Sequence, residues 1–399
     1  MAVPSLLFLS NGHGEDVIAA TIATKVRELA PAIKIMAYPV VGYGDAYRRA
    51  DLPVVGVQQA MPTGGFILKG AGNLWKDLKA GLIDLTRRQI RDLKERSAAV
   101  DGVVAVGDVY ALWLAGRFVR RRTLFVATAK SEYIRGHYFW EYALMRRYAV
   151  HVYARDLLTA QAMARRKVPA EFVGNVMMDA LPIHGSDLGL RPDLRVVGLL
   201  PGSRQDAYGN ALDLLRVVEA LEGLGEEIGF LMSVAPSLEV EPLVRAARED
   251  GWRALDDGPV SIAGGSRWTL AKHGLQVVCV QGAFGDLLSR ADIVIGLAGT
   301  GNEQAVGLGK PVVTFPGKGT QFTPKFARDQ KRLLGDAVSL VARDPQVVAE
   351  EVRRILSDPE LYARMARAGK ERMGEPGGAL KMAERIVALF QPPAPRASR

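Results

Sequence analysis

Residues 196–204 read Val196-Val197-Gly198-Leu199-Leu200-Pro201-Gly202-Ser203-Arg204. An apolar run ends in a proline–glycine turn, and the helical stretch Ala207–Leu224 begins just beyond. A buried strand feeding a helix in this way is the repeating unit of a parallel α/β sheet. The unit recurs toward the C-terminus. Strands at Gly229–Ser233, Val277–Val280, Ile293–Ile295 and Val312–Phe315 alternate with helices at Val240–Asp250, Ala283–Ala291 and Asn302–Leu308. The helical stretches Pro345–Leu356, Pro359–Arg372 and Ala379–Phe390 follow, and Pro259–His273, with Gly264-Gly265, reads as a loop or hairpin insertion. The same alternation runs toward the N-terminus. Strands at Leu6–Ser10, Ile33–Tyr38, Gly102–Val106, Thr123–Ala127, Val150–Ala154 and Glu171–Val173 are interleaved with helices at Asp16–Leu29, Leu74–Ser97, Ala111–Arg120 and Leu157–Arg166. Between the two series, Leu181–Asp193 holds two prolines and two glycines without periodicity and reads as a linker.

The expected organisation is a domain over 1–182, a linker over 183–194, a second domain over 195–391 whose last helices are free to pack back on the first, and a frayed tail over 392–399. The 399 residues suffice for two cores. With 48% hydrophobic and 24% charged residues the composition is that of a globular protein. The run Pro4–Ser10 leads into Asn11-Gly12-His13-Gly14 and reads as a first strand, not a signal peptide. No stretch of about 20 uncharged apolar residues occurs that would span a membrane. The single cysteine, Cys279, lies in an apolar run and excludes an internal disulfide and a cysteine-built zinc site. The net charge of +9 fits partners that carry phosphate or an anionic lipid surface. No nucleic-acid-binding motif accompanies it, and the expected location is cytoplasmic.

Tandem doubly wound domains are shared by GT-B glycosyltransferases, nonhydrolysing sugar-nucleotide epimerases and two-domain dehydrogenases. Their ligands sit beyond the carboxyl ends of the strands. Gly202 lets the backbone approach a ligand there, Ser203 can cap the following helix, and Arg204 offers a fork suited to phosphate. A second loop, Gly296-Leu297-Ala298-Gly299-Thr300-Gly301-Asn302-Glu303-Gln304, opens a helix that runs on to Gly309-Lys310-Pro311. Its backbone N–H groups suit phosphate oxygens, and Glu303 or Gln304 can reach a ribose hydroxyl pair. The spacing of Gly299, Gly301 and Gly307 is neither a G-x-G-x-x-G fingerprint nor a Walker loop. Gln330 completes the donor-side candidates.

The order Leu-Pro-Gly-Ser-Arg, a small-Gly-Thr loop and Gly-Lys-Pro-Val-Val resembles lipid-A-disaccharide synthase. Three further segments are similar to that family: Gly174-Asn175-Val176-Met177-Met178-Asp179-Ala180, with Asn175 where the family has histidine; Val104-Ala105-Val106-Gly107-Asp108, a strand ending in a catalytic aspartate; and Gly14-Glu15-Asp16, an N-terminal turn. The segment Ala129–Trp140 does not match the family's acceptor-side region. The resemblance implies a GT-B fold, two Rossmann-like domains facing across a cleft. It also implies inverting transfer from a nucleotide sugar, expected to be a UDP-sugar, to a lipid-linked or amphipathic acceptor. A nonhydrolysing UDP-N-acetylglucosamine 2-epimerase and a non-catalytic UDP-sugar-binding protein are the alternative readings.

Inverting transfer needs a base for the acceptor hydroxyl. Asp108, at a strand end, leads His13 and Asp16 as candidate; Gly12, Gly14 and Asn175 join the substrate-binding set. No metal is expected. The five histidines (His13, His137, His151, His184, His273) form no helical pair, and no Asp-x-Asp motif occurs. No cofactor is expected beyond the nucleotide sugar as substrate. The stretch Phe66–Arg96 carries Phe66, Trp75, Leu85 and other apolar residues interleaved with Lys69, Arg87, Arg91 and Lys94. It predicts peripheral contact with an anionic membrane on its inner face.

Overall fold

A computed structural model describes residues 3–59, 82–222, 228–255 and 258–390. The chain divides at 180/181 and again at 375/376. Residues up to Ala180 together with those from Pro376 onward form one compact unit, and Leu181–Glu375 forms the other.

In the first unit, β1 (Ser5–Ser10), β2 (Lys34–Pro39), β3 (Gly102–Gly107), β4 (Arg122–Ala127), β5 (Ala149–Ala154) and β6 (Ala170–Glu171) form a parallel sheet in the order β2-β1-β3-β4-β5-β6. Helices cover both faces, so the strands are nearly continuous apolar runs. Alternate residues enter separate cores: Leu7, Leu9, Val103 and Ala105 on one face, Leu6, Phe8, Val104 and Val106 on the other. The second of these cores includes Ala379, Met382, Ala383 and Ile386 of the C-terminal helix Gly378–Phe390, packed with Ile18, Ile22 and Val26 of the helix His13–Leu29. Asp179 fastens that returning helix, accepting from Gly377 N at 2.5 Å and Ala379 N at 2.7 Å.

In the second unit, β7 (Arg195–Leu200), β8 (Ile228–Val234), β9 (Arg253–Ala254), β10 (Val260–Ile262), β11 (Gly265–Lys272), β12 (Leu275–Gln281), β13 (Ile293–Gly296), β14 (Val312–Thr314) and β15 (Val338–Leu340) form a nine-stranded sheet. Its order is β10-β11-β12-β8-β7-β13-β14-β15, with β9 paired to β11. The insertion expected over Pro259–His273 is a hairpin built into this sheet. Strand β11 turns into β12 through His273 and Gly274, both at positive φ, as a two-residue hairpin turn requires.

The boundaries differ from those expected. The segment read as a linker belongs to the second unit: the buried Asp286 carboxylate accepts from His184 N at 2.9 Å, Gly185 N at 2.7 Å and Ser186 N at 3.2 Å. Of Phe66–Arg96, residues 66–81, including Phe66 and Trp75, lie outside the described residues. The remainder forms the helix Leu82–Arg96, whose Leu85 and Leu93 are buried in the protein while Ile83 is exposed. Among the described residues no helix is long and apolar enough to cross a membrane.

Candidate functional site

Each sheet has one topological switch point, where successive connections leave in opposite directions and strand ends diverge into a crevice. In the second unit it lies between β7 and β13. The two glycine-rich motifs follow these two strands, so the fold brings them side by side. Leu297 N donates to Leu200 O at 2.8 Å. Gly202 has φ +108°, and a Cβ there would stand 3.3 Å from Leu297 O.

The second loop is held from beneath. Asn302 is fully buried and donates from Nδ2 to Gly296 O at 3.0 Å and to Gln330 Oε1 at 2.8 Å. Gln330 Nε2 donates to Ala298 O at 3.1 Å and Gly299 O at 3.0 Å, and Thr314 Oγ1 donates to Gly296 O at 2.6 Å. Gly296 is required, because a Cβ there would fall 1.8 Å from Asn302 Oδ1. Asn302 and Gln330, expected to bind substrate, both donate within this loop and shape it. The helix Thr300–Gly307 starts on this platform with Gly299 as its cap. Thr300 is exposed, Gly301 packs near Leu200 and Phe284, and Glu303 and Gln304 are both buried.

Ser203 does not cap the next helix. The cap of Asp206–Ala220 is Gln205, and the Ser203 carbonyl accepts from Ser237 Oγ at 3.1 Å. Arg204 donates to Gln321 Oε1, and Gln321 N donates to Asp206 Oδ2 at 3.0 Å. Gln321 belongs to the segment 316–323 that follows β14, a third wall which the sequence reading missed. Its signal was present as Gly317-Lys318-Gly319-Thr320 directly after a strand. Three helices, Asp206–Ala220, Thr300–Gly307 and Pro324–Leu334, thus begin beyond the carboxyl ends of β7, β13 and β14. Their first-turn N–H groups and dipoles, with Arg204, suit an anion such as a diphosphate. Removing the fork with Arg204→Ala is expected to weaken UDP binding about tenfold, the scale of a lost charge-assisted contact. Calorimetry on a folded variant checks this, and an unchanged affinity removes Arg204 from the site.

In the first unit the switch point lies between β1 and β3, and the acid–base candidates gather there. Asn11 Nδ2 donates to Asp108 Oδ1 at 2.6 Å, and Tyr110 N donates to the same oxygen at 2.8 Å. Asp108 is also the cap of the helix Val109–Leu114. Burial pushes its carboxyl above the usual range, against the pull of the Tyr110 N–H and Asn11. Gly107, at φ +132°, makes room: Asn11 Oδ1 lies where its Cβ would be, and Glu15 Cγ lies 3.4 Å from that point. Glu15 folds back over Gly12, whose Cβ would meet Glu15 Oε2 at 2.3 Å, and Thr128 Oγ1 donates to Glu15 Oε1 at 3.4 Å. Glu15 is thus a further carboxylate at this switch point, packed against Gly12 and Gly107, that the sequence reading did not put forward as a base.

His13 is exposed on the first helical turn and lies against Gly42, while Gly14 faces open space. Asp16 points inward. It is buried, accepts from Ser10 Oγ at 2.6 Å, and Ser10 Oγ lies 2.6 Å from Tyr47 Oη. Asn175 caps the helix Val176–Asp179 through Met177 N at 3.0 Å. Among the described residues no group of three or more His, Cys, Asp or Glu is placed to hold a metal ion.

Burial raises Asp16 from 3.8 to about 6, while Ser10 and His13 pull the other way and Glu15 and Asp45 add to the rise. The folded state therefore holds this proton more tightly than the unfolded chain, and stability falls as pH rises from about 4 to about 6. Asp16→Asn keeps an acceptor for Ser10 and removes the ionisation. Its unfolding free energy, read from melting curves, should match wild type at pH 4 and exceed it at pH 8 by up to about 3 kcal/mol. Equal melting at both values would show that Asp16 ionises in the fold without penalty.

Together the two parallel-sheet units and their crevices define the GT-B fold. No family model matches the chain. By sequence it is similar to the lipid-A-disaccharide synthase of Geobacter sulfurreducens, 29% identical over 255 residues that cover 57% of this chain and 59% of that protein. It is also similar to that of Syntrophotalea carbinolica, 25% identical over 252 residues, 56% of each. The chain thus spans less than two thirds of the length of these curated relatives, and the relationship is distant. By structure it resembles a putative UDP-N-acetylglucosamine 2-epimerase from Listeria monocytogenes (TM-score 0.62, 14% identity, covering 98% of this chain and 97% of that one). It also resembles the calicheamicin glycosyltransferase CalG4 (TM-score 0.61, 15%, covering 98% and 100%) and S. aureus MnaA in a structure with UDP (TM-score 0.59, 11%, covering 97% and 96%). This structural likeness is one of fold.

Proposed function

We propose that the protein is an inverting glycosyltransferase that moves a sugar from a UDP-sugar to a lipid-linked or amphipathic acceptor. The observation that carries this reading is the junction of β7 and β13, where the Gly202 turn lies against the loop that opens Thr300–Gly307 and Arg204 reaches Gln321 in the segment after β14. In this reading Gly202, Ser203, Arg204, Gly299, Thr300 and Gly301 hold the diphosphate, and Glu303 or Gln304 binds the ribose. Asp108, with Asn11 fixing its orientation, takes the acceptor proton as the hydroxyl attacks the anomeric carbon and the UDP leaves. Positive helix ends and Arg204 stabilise the leaving diphosphate, so the transfer needs no metal. The sequence kinship with lipid-A-disaccharide synthases favours transfer, whereas the structural likeness to 2-epimerases favours a second reading in which the UDP-sugar alone is converted.

Incubation of the protein with UDP-sugars, with and without membrane lipid extract and in excess chelator, separates the two readings by mass spectrometry and sugar analysis. A new glycolipid formed only with extract is the expected result. An epimerised UDP-sugar without any acceptor overturns the transfer reading. Loss of activity in chelator, restored by magnesium or manganese, overturns the metal-free part.

A further inference from the structure

The segment 316–323 after β14 is laid along one face of the helix Asp206–Ala220, through Asp206, Asn210 and Asp213. These residues are four and three apart, so they stand one above another on that face. Asp206 Oδ2 accepts from Gln321 N at 3.0 Å, and a Cβ at Gly319 would fall 2.0 Å from the same carboxylate. Asn210 is buried and donates from Nδ2 to Pro201 O at 2.9 Å, and its Oδ1 lies 3.0 Å from where a Gly317 Cβ would stand. Asp213 pairs with Arg343 at 2.6 Å and lies 3.8 Å from Lys318 Nζ. Within the segment Gly317 N donates to Phe322 O at 2.8 Å, and Phe322 is buried. The backbone that carries Gln321 is thus fixed to the helix start that follows Arg204.

The side chains of Arg204 and Gln321 are both exposed, and a hydrogen bond between exposed groups adds little to the fold. Its effect is on the guanidinium. Gln321 Oε1 accepts from Arg204 Nη1, which leaves Nε and Nη2 of the five-donor fork for another acceptor. Arg204 forms no ion pair among the described residues. The Asp206 carboxylate, two residues on, is turned to the Gln321 N–H and to Gly319. A carboxylate in place of the Gln321 amide would orient the fork as well, but it would cancel the charge. The neutral amide orients it and leaves the charge whole. A side chain ordered beforehand also loses less freedom when its ligand arrives.

We propose that Gln321 is a positioning residue of the anion site, which presents Arg204 in its binding orientation as an uncompensated cation for a diphosphate. The proposal rests on the reading of the β7–β13 junction as the UDP-sugar site and names what prepares its cation.

The test is titration calorimetry with UDP, beside thermal melting, on wild type, Gln321→Glu, Gln321→Ala, Arg204→Ala and the double alanine variant. Gln321→Glu is expected to weaken UDP at least tenfold, because the new carboxylate pairs with Arg204, while the melting temperature stays at or above that of wild type. A lesion of the loop would instead lower stability and affinity together. Gln321→Ala should weaken UDP about threefold, the scale of one side chain left to be ordered on binding. It should cost nothing further when Arg204 is already alanine, since the effect runs through Arg204. The proposal is overturned if Gln321→Glu binds UDP as wild type does, or if its affinity and melting temperature fall together. It is also overturned if Gln321→Ala costs as much without Arg204 as with it, since Gln321 then acts on UDP directly. The alanine cycle decides alone if the glutamate variant does not fold. Wild type that binds no UDP ends the donor-site reading and this proposal with it, whereas wild-type binding with any of the overturning results ends the proposal alone.

Discussion

Asp108→Asn is expected to lower kcat by about 10²–10⁴-fold, the usual contribution of a positioned acid–base group, with UDP affinity unchanged. The structure makes the test clean. Asn11 Nδ2 and Tyr110 N both donate to Asp108 Oδ1, and asparagine keeps an oxygen for them, so the helix cap and its geometry survive while the proton acceptor is lost. Because burial raises the Asp108 carboxyl, the acid limb of the wild-type pH–rate profile should lie above the ordinary carboxylate range, with the rate falling as protonation removes the base. The variant's residual rate should lack that limb. If Asp108→Asn retains most of the rate while Glu15→Gln or His13→Ala loses it, the role passes to that residue.

Asp286→Ala is expected to destabilise the protein by about 2–4 kcal/mol, since several N–H groups lose one shared acceptor. That acceptor binds His184, Gly185 and Ser186 N–H to the start of the helix Phe284–Arg290. Burial raises its carboxyl, but the Ser186, His184 and Gly185 N–H groups outweigh this and hold it below the usual range. The sign is therefore opposite to that of Asp16. This contribution is present above the unfolded value of 3.8 and is lost as pH falls through the lower folded value. Asp286→Asn, which keeps an oxygen without the charge, should lie between wild type and alanine. Denaturant unfolding at pH 7 and pH 3 checks both: the alanine penalty should be large at the first and reduced at the second. An alanine variant as stable as wild type at pH 7 would show that water replaces the carboxylate without cost.

The parallel strands were legible because each is covered on both faces and so appears as an unbroken apolar run, from Leu6–Ser10 through Val196–Leu200. The switch points were not legible, because strand order is a property of pairing and leaves no local mark. The helix Phe139–Tyr148 escaped because its cap is a tyrosine closed by Glu141, outside the Ser, Thr, Asp and Asn that announce a helix start. At the donor loop the residue types were readable and their facing was not. Asn302 and Gln330 look like ligands in sequence, and the structure shows their amide N–H groups donating to the Gly296, Ala298 and Gly299 carbonyls. Glu15 was hidden by the reverse effect: as a first-turn acid it reads as a dipole partner, and only the glycines at 12 and 107 let it fold back over the end of β3.

The returning helix Gly378–Phe390 sets an order on biosynthesis. Ile18, Ile22 and Val26 leave the ribosome early, but the side chains that cover them, Met382, Ala383 and Ile386, are encoded after the whole of the second unit. The first unit therefore waits with an open apolar groove while its neighbour is made, in a period when such surface invites aggregation or chaperone capture. A nascent chain stalled near Glu375 would carry a complete second unit and an unfinished first one.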